Sequence, residues 1–300
     1  MTSSTANLRS ALYMTLAMGT GALSDTAVKA LAANMNMGQI MLLRGIAATV
    51  LITFLAYHRG ALRPLSVVAQ PMVVIRSLGE IGATVTFLIA LARIPLANAS
   101  AILQAIPLAV TMGAALFLRE PVGWRRWTAI IVGFTGVLIV VRPGLEGFTV
   151  DSLLVLATVA FAAVRDLATR KIPPGVPSLF ISTITAPAIA LTGAVLMVPM
   201  GGWQPVSTLD LVTLIAAALL LLVNYQFITM AVREGEISFV APFRYTNLPL
   251  AMLLGLFVFA EVPDVFMIAG AAVIVGSGLY ALHRERRLAR KLAAAIPLPR

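Results

Sequence analysis

Residues 87–95 read FLIALARIP, and residues 227–235 read FITMAVREG. The two stretches place Phe and Arg alike, Phe87 and Arg93 against Phe227 and Arg233, 140 positions apart. Working outward, Glu120 and Glu261 recur at 141 positions, each closing an apolar run that contains a proline, Pro107 or Pro249. Each glutamate precedes a further apolar run with paired glycines, Gly133 and Gly136 or Gly270 and Gly276, and Gly136 lies 140 positions before Gly276. The chain therefore reads as two similar halves, 1–145 and 146–300, the second ending in a basic tail.

Composition decides what such halves are made of. Hydrophobic residues make up 60% of the chain, charged residues 11%, and mean hydropathy is +0.96, far from the balance of a soluble domain. A membrane span needs roughly 20 mostly apolar residues. Ten runs fit, at 9–32, 37–57, 66–92, 96–118, 124–141, 150–169, 177–200, 208–232, 236–260 and 263–283. The runs are continuously apolar rather than alternating, which excludes a closed barrel. The fold class expected is an all-α polytopic membrane protein, with ten transmembrane helices as two inverted five-helix repeats. An odd number of spans per half makes the second half enter the membrane from the opposite side, as in secondary transporters.

Charge placement sets the orientation. With the N-terminus inside, the cytoplasmic side receives Arg9, Arg59, Arg63, Arg119, Arg125, Arg126, Arg170, Lys171 and Arg233, then the tail RERRLARKL at 284–292. The opposite loops carry only Arg93 and Arg142, so both termini are expected in the cytoplasm. Arg93, as the mirror of Arg233, reads as a relic of the repeat. The net charge of +10 is a topology signal here, not a nucleic-acid footprint, and the tail reads as a cytoplasmic anchor before it reads as a site for anionic lipid. The first helix is read as retained, because MTSSTANLRS lacks the shape of a cleavable signal. With no cysteine, the chain has no disulfide or thiolate chemistry.

Ionisable groups at membrane depth are costly and normally face the bundle interior in pairs. Asp25 and Lys29 lie one helical turn apart on the first helix, with Met14, Met18 and Gly21 continuing their face. Arg76 and Glu80 form the same kind of pair on the third, with Thr84 and Phe87 along the stripe. Either pair reads as a self-satisfied ion pair or as part of a binding or ion-coupling site. Arg44 has no acidic neighbour on its own helix, which leaves Asp25, Glu80 or a solute carboxylate as partner. The fourth helix presents Ser100, Gln104, Pro107 and Thr111 on one stripe, and the ninth presents Arg244, Asn247 and Ala251. Pro107, Pro242 and Pro249 each remove a backbone donor, which reads as a kink or, more sharply, a hinge. Asn224 and Tyr225 are candidate ligand contacts or interhelical glue. Arg165 and Asp166 are expected at the membrane interface. The glycines of GFTG (133–136) and GAAVIVGSG (270–278) read as an internal seam in preference to a dimer face.

Enzyme chemistry finds little support. His58 and His283 are the only histidines, neither has metal-ligand spacing, and no phosphate-cradling glycine loop or cofactor motif occurs. A channel would also need polar lining but would not require the inverted repeat.

The ten-run layout, the Pro-then-Glu ends (Pro107 to Glu120, Pro249 to Glu261) and the glycine pairs that follow resemble the drug/metabolite transporter superfamily, in its EamA-like exporter branch. Within that branch the chain looks most like bacterial exporters of aromatic and other neutral amino acids. The resemblance implies export of a small molecule across the bacterial inner membrane by alternating access. It further implies a central cavity between the halves and gates from the third, fourth, eighth and ninth helices. On that reading Arg44, Arg76 or Arg244 takes a substrate carboxylate and Glu80, Asp25 or free carbonyls take its ammonium, with Gln104, Asn224, Tyr225 and Asn247 as further contacts. Asp25 and Glu80 are the candidate proton carriers, with Lys29 as ion-pair partner. The alternative is an exporter of organic cations that uses Glu80, Asp25 and aromatic faces.

Overall fold

The computed structural model describes residues 3–120, 122–144, 149–173, 175–234 and 237–295. The expected boundary between the halves at 145/146 lies outside them, as do the side chains of Arg233 and of the basic tail beyond Arg284. The regular elements are all helical: α1 (Ser3–Leu31), α2 (Met37–His58), α3 (Pro71–Leu91), α4 (Leu96–Leu103), α5 (Ile106–Phe117), α6 (Trp124–Val141), α7 (Val150–Arg170), α8 (Ser178–Met197), α9 (Thr208–Glu234), α10 (Ile237–Val240), α11 (Asn247–Phe259) and α12 (Val265–Ala295). A helix pairs its backbone groups internally, which hydrocarbon requires. Among the described residues, nine stretches are long and apolar enough to cross a membrane. The 29-residue α1 is not among them, because Thr15, Thr20, Ser24, Asp25, Thr26 and Lys29 dilute its apolarity. Its hydroxyls bond back one turn, Thr15 to the Ala11 carbonyl and Thr26 to that of Ala22, while Ala17 and Val28 are fully buried.

The fourth and ninth spans, in which Pro107, Pro242 and Pro249 predict a kink, are both interrupted. Pro107 has no N–H to return to the preceding turn. The end of α4 tightens instead, with Gln104 N donating to the Ala101 carbonyl at 3.2 Å and Ala105 N to that of Ile102 at 3.0 Å, and α5 starts afresh at Ile106. In the second half a 3-10 turn over Ala241–Thr246, with Pro242 at its start, separates α10 from α11, and Pro249 lies in the first turn of α11. Prolines in a first turn sacrifice no intrahelical bond. Gln104 and Arg244, 140 positions apart, fall in the two irregular turns.

The helices pack in a regular exchange. α1 lies along α9 and α3 along α7, while α2 pairs with α8, α4 with α11 and α6 with α12. Glycines decide the α6–α12 seam. A Cβ on Gly136 would stand 2.8 Å from the Gly270 carbonyl oxygen, and one on Gly270 would stand 2.6 Å from that of Gly136, so α6 and α12 meet backbone to backbone. Gly276, expected at this seam, faces open space instead.

One end of the bundle carries the α1–α2, α3–α4, α6–α7, α8–α9 and α11–α12 connections, and the other carries the α2–α3, α5–α6, α7–α8 and α9–α10 connections. The largest apolar core, which includes Val28, Met41, Leu91, Leu96, Val141 and Met267, fills the first end. Outward-facing Phe54, Leu78, Ile131, Leu191 and Phe257 form the exposed apolar belt that lipid covers in a membrane protein.

Candidate functional site

Away from that core the bundle opens into a cavity of about 620 Å³. Much of its polar lining, Arg76 and Glu80 of α3, Arg165 and Thr169 of α7, Ser178 and Ser182 of α8 and Asn224 of α9, lies toward the end with the α2–α3 and α7–α8 connections, hereafter the open end. Met41 of α2, Leu88 of α3 and Ile189 of α8 continue the lining deeper into the bundle. Arg44 of α2 and Arg244 in the 3-10 turn also line it.

The polar groups are arranged around Arg165. Its Nη1 donates to Glu80 at 3.4 Å and its Nε to Asp166 at 2.8 Å, so one guanidinium takes up both carboxylates of the lining. Arg76, the expected partner of Glu80, stands 4.0 Å from it, and its Nε and Nη1 are buried with no hydrogen-bond partner. Arg44 donates from Nη2 to the Ser24 hydroxyl at 3.4 Å, feels the charge of Asp25, and leaves its Nε unpartnered. Asn224 both lines the cavity and donates to the Ala17 carbonyl at 2.5 Å, an arrangement for which Gly21 leaves room.

The closed end is tied across by polar bonds. Lys29 donates to Glu261 and, at 2.6 Å, to the Ile94 carbonyl, while the second Glu261 oxygen accepts from Leu96 N at 2.8 Å. Gln39 and Gln204 exchange two bonds at 2.9 Å, side-chain amide to backbone in both directions. Asn34 donates to Asp210 at 2.8 Å, and Asn36 to the Gly202 carbonyl at 2.6 Å. Arg93 pairs with Asp151 at 3.2 Å and Arg142 with Asp264. Arg93 is thus bonded, not merely a relic of the repeat. The Arg142 guanidinium bonded to Asp264 holds that carboxyl below the usual carboxylate range.

Six of the eight expected substrate contacts, Arg44, Arg76, Glu80, Asn224, Tyr225 and Arg244, do line the cavity. Gln104 and Asn247 do not: Gln104 is buried in the tightened turn that ends α4, and Asn247 opens α11. Lys29 is not paired with Asp25, because α1 carries it past the cavity to the closed end, where Glu261 meets it. Arg165 and Asp166, expected at the interface, stand in the lining because the cavity reaches their depth.

These features define a multi-pass helical membrane protein with a charged central cavity open at one end of the bundle and bonded shut at the other. The EamA-like transporter family model matches residues 8–142. The chain is 31% identical to a riboflavin transporter of Rhizobium johnstonii over 68% of its own length and 67% of that protein's. It is 26% identical to an S-adenosylmethionine uptake transporter of Rickettsia prowazekii over 92% of each chain. It is 29% identical to a pseudopaline exporter of Pseudomonas aeruginosa over 92% of its own length and 96% of that one's. A solved crystal structure with 18% identity superposes at a TM-score of 0.60 over 95% of this chain and 99% of that chain, a likeness of fold alone. The chain belongs to the EamA-like family of the drug/metabolite transporter superfamily, whose named relatives here carry small molecules.

Proposed function

We propose that the chain is a secondary transporter that exports a small metabolite with an amino-acid end from the cytoplasm, by alternating access between two inverted five-helix halves. The observation that carries this reading is a charged cavity of about 620 Å³ between the helices, with one end of the bundle tied across by polar bonds. Such a volume lies within the roughly 300–1,000 Å³ typical of small-ligand sites. A channel would need a path through both ends, and the closed end is bonded across.

The halves are supported by the helix pairings. If each helix is matched with its counterpart five spans later, the α1–α9 pair becomes the α7–α3 pair, and α2–α8, α4–α11 and α6–α12 map onto themselves. The irregular turns at Gln104 and Arg244 are the proposed hinges, with Pro107, Pro242 and Pro249 preventing regular helix through them. Arg59, Arg63, Arg119, Arg125, Arg126, Arg170 and Lys171 all fall at the open end, against Arg93 and Arg142 at the closed end, which supports a cytoplasmic open end in the inner membrane.

In the cavity, Arg44, Arg76 and Arg244 have donors for a carboxylate, and Glu80 or Asp166 accepts from an ammonium group. Aromatic and neutral amino acids are the simplest solutes with such an end and the first to test, with larger metabolites built on an amino acid beside them. An organic cation fits less well, because it brings no carboxylate to Arg44, Arg76, Arg165 and Arg244, whose positive charges stand in the same lining and repel it. Counterflow of labelled phenylalanine, tryptophan, riboflavin and S-adenosylmethionine in proteoliposomes tests the reading. Saturable flux of at least one of them, cut by Arg244→Ala without loss of insertion, is expected. Rates equal to those of protein-free vesicles for the whole panel would refute transport, and full flux in the Arg244→Ala variant would remove that residue from the site.

A further inference from the structure

Among the described residues, four guanidinium groups line the cavity, those of Arg44, Arg76, Arg165 and Arg244, against two carboxylates, Glu80 and Asp166. The described lining therefore carries an excess of two positive charges, reduced to one when Asp25, whose charge acts on Arg44, is counted with it. Uncompensated charge at membrane depth is costly, so this excess needs a counter-charge when water is displaced. Arg165 absorbs both carboxylates. Arg76 reaches Glu80 only at 4.0 Å, Arg44 has one long bond to a serine hydroxyl, and Arg244 has no ion pair among the described residues. A zwitterionic amino acid brings no net charge and leaves the excess in place.

Resting on the transport reading above, we propose that the solute of this cavity carries at least two acidic groups and crosses as a net anion. Carboxylate and guanidinium match in planar two-point geometry, which three arginines with donors to spare favour over a single diffuse attraction. One amino group on the same solute is met by Glu80 or Asp166. Its apolar body lies against Met41, Leu51, Ile52 and Leu222. The volume takes a molecule larger than a free amino acid, so an amino acid joined to a second acid-bearing unit is the class indicated.

The test uses the full chain in proteoliposomes, with γ-glutamylphenylalanine as the doubly acidic probe and phenylalanine as its neutral counterpart. The doubly acidic probe is expected to exchange at least about 10-fold faster. Its net flux should respond to an imposed potassium diffusion potential, with the accumulation ratio shifting by roughly 50-fold per 100 mV for each net charge. Arg76→Gln should lower that preference about 10-fold, read as the ratio of the two fluxes in one preparation, so that any loss common to both probes cancels. Arg76→Lys, checked for a single elution peak, keeps the charge and should retain most of the preference, which separates charge from folding. Equal exchange of the two probes, or flux of the doubly acidic probe that ignores the potential, overturns the proposal and leaves transport standing. No flux of either probe, nor of riboflavin or S-adenosylmethionine, overturns the transport reading itself.

Discussion

Glu120 and Glu261 end α5 and α11 in the same backbone turn, yet one lies in a closed lock and the other in an open one. Each follows a residue in the left-handed region, Arg119 at φ 55° and Ala260 at φ 54°, and each N–H folds back on the carbonyl six residues earlier, Ala114 at 3.2 Å and Gly255 at 3.0 Å. Each also faces a basic side chain near the end of the first helix of the opposite half, Arg170 for Glu120 and Lys29 for Glu261. Lys29 and Arg170 are themselves 141 positions apart, the same offset as the two glutamates. The Lys29–Glu261 pair is largely buried, with side chains 11% and 19% exposed, and Glu261 has Leu96 N as a second donor. The Arg170–Glu120 pair sits at 3.5 Å with its side chains 52% and 49% exposed. One local design at two ends of the bundle, tight at one and slack at the other, is what alternating access requires of a state open at the slack end. In the proposed cycle the two pairs exchange these roles.

The largest expected effect comes from breaking the tight pair. Glu261→Ala strands the Lys29 ammonium in a mostly dry site, a loss of about 3–5 kcal/mol for a pair buried this far. The variant should unfold at markedly lower temperature in detergent. Because the chain has no native cysteine, Ala97→Cys, buried at 2% exposure in the closed end, reports on the seal directly. Its modification by an impermeant thiol reagent should rise at least about 10-fold in the Glu261→Ala background, whereas an unchanged rate would mean that the pair does not hold that end shut. The double variant Lys29→Met, Glu261→Leu should recover most of the stability without restoring transport. Gln39→Ala ranks next. It removes two bonds and leaves the Gln204 N–H and carbonyl without their protein partners, for about 1–3 kcal/mol. Ala97→Cys labelling should rise less than with Glu261→Ala.

Much of this comparison was legible in the sequence, and the illegible part has a common cause. The spans stand out because hydrocarbon admits only long apolar runs, and the glutamates stand out because they interrupt such runs at a fixed offset. The match of Lys29 with Arg170 at that offset was equally present, but Asp25 one turn away supplied a nearer, wrong partner. Local spacing reports which groups share a helix face. It does not report that α1 carries Lys29 past the cavity to meet a different half. The place of Arg165 and Asp166 in the lining was hidden for the same reason, since distance from a helix end does not report whether a cavity opens beside that end. Gln104 shares a stripe with Ser100 and Thr111 only in a regular helix, which Pro107 prevents.

The slack pair should respond differently to the same change. Glu120→Gln removes an exposed contact worth under about 1 kcal/mol, so thermal unfolding should move little. Transport should nonetheless slow several-fold, because the glutamate is needed when the open end closes. Wild-type turnover in this variant would confine the lock to Glu261 and end the symmetry of the two ends.

The smallest effect concerns the Arg142–Asp264 pair beside the tight lock, and it turns on pH. The Asp264 carboxyl is held below its ordinary value of 3.8, chiefly by the hydrogen bond from Arg142. A carboxylate depressed in the folded state adds stability that is fully present above its unfolded value and is lost as pH falls through the folded one. The contribution is therefore constant from pH 8 to about pH 5 and fades only below about pH 4. Asp264 is half exposed, which keeps the contribution below about 1 kcal/mol. Ala97→Cys labelling, taken relative to an exposed reference cysteine so that thiolate formation cancels, should accordingly be flat across neutral pH, and Asp264→Asn should raise that ratio slightly and equally at every pH in that range. A ratio that changes between pH 6 and 8 would place the titrating group elsewhere and show that the seal is not governed by this pair.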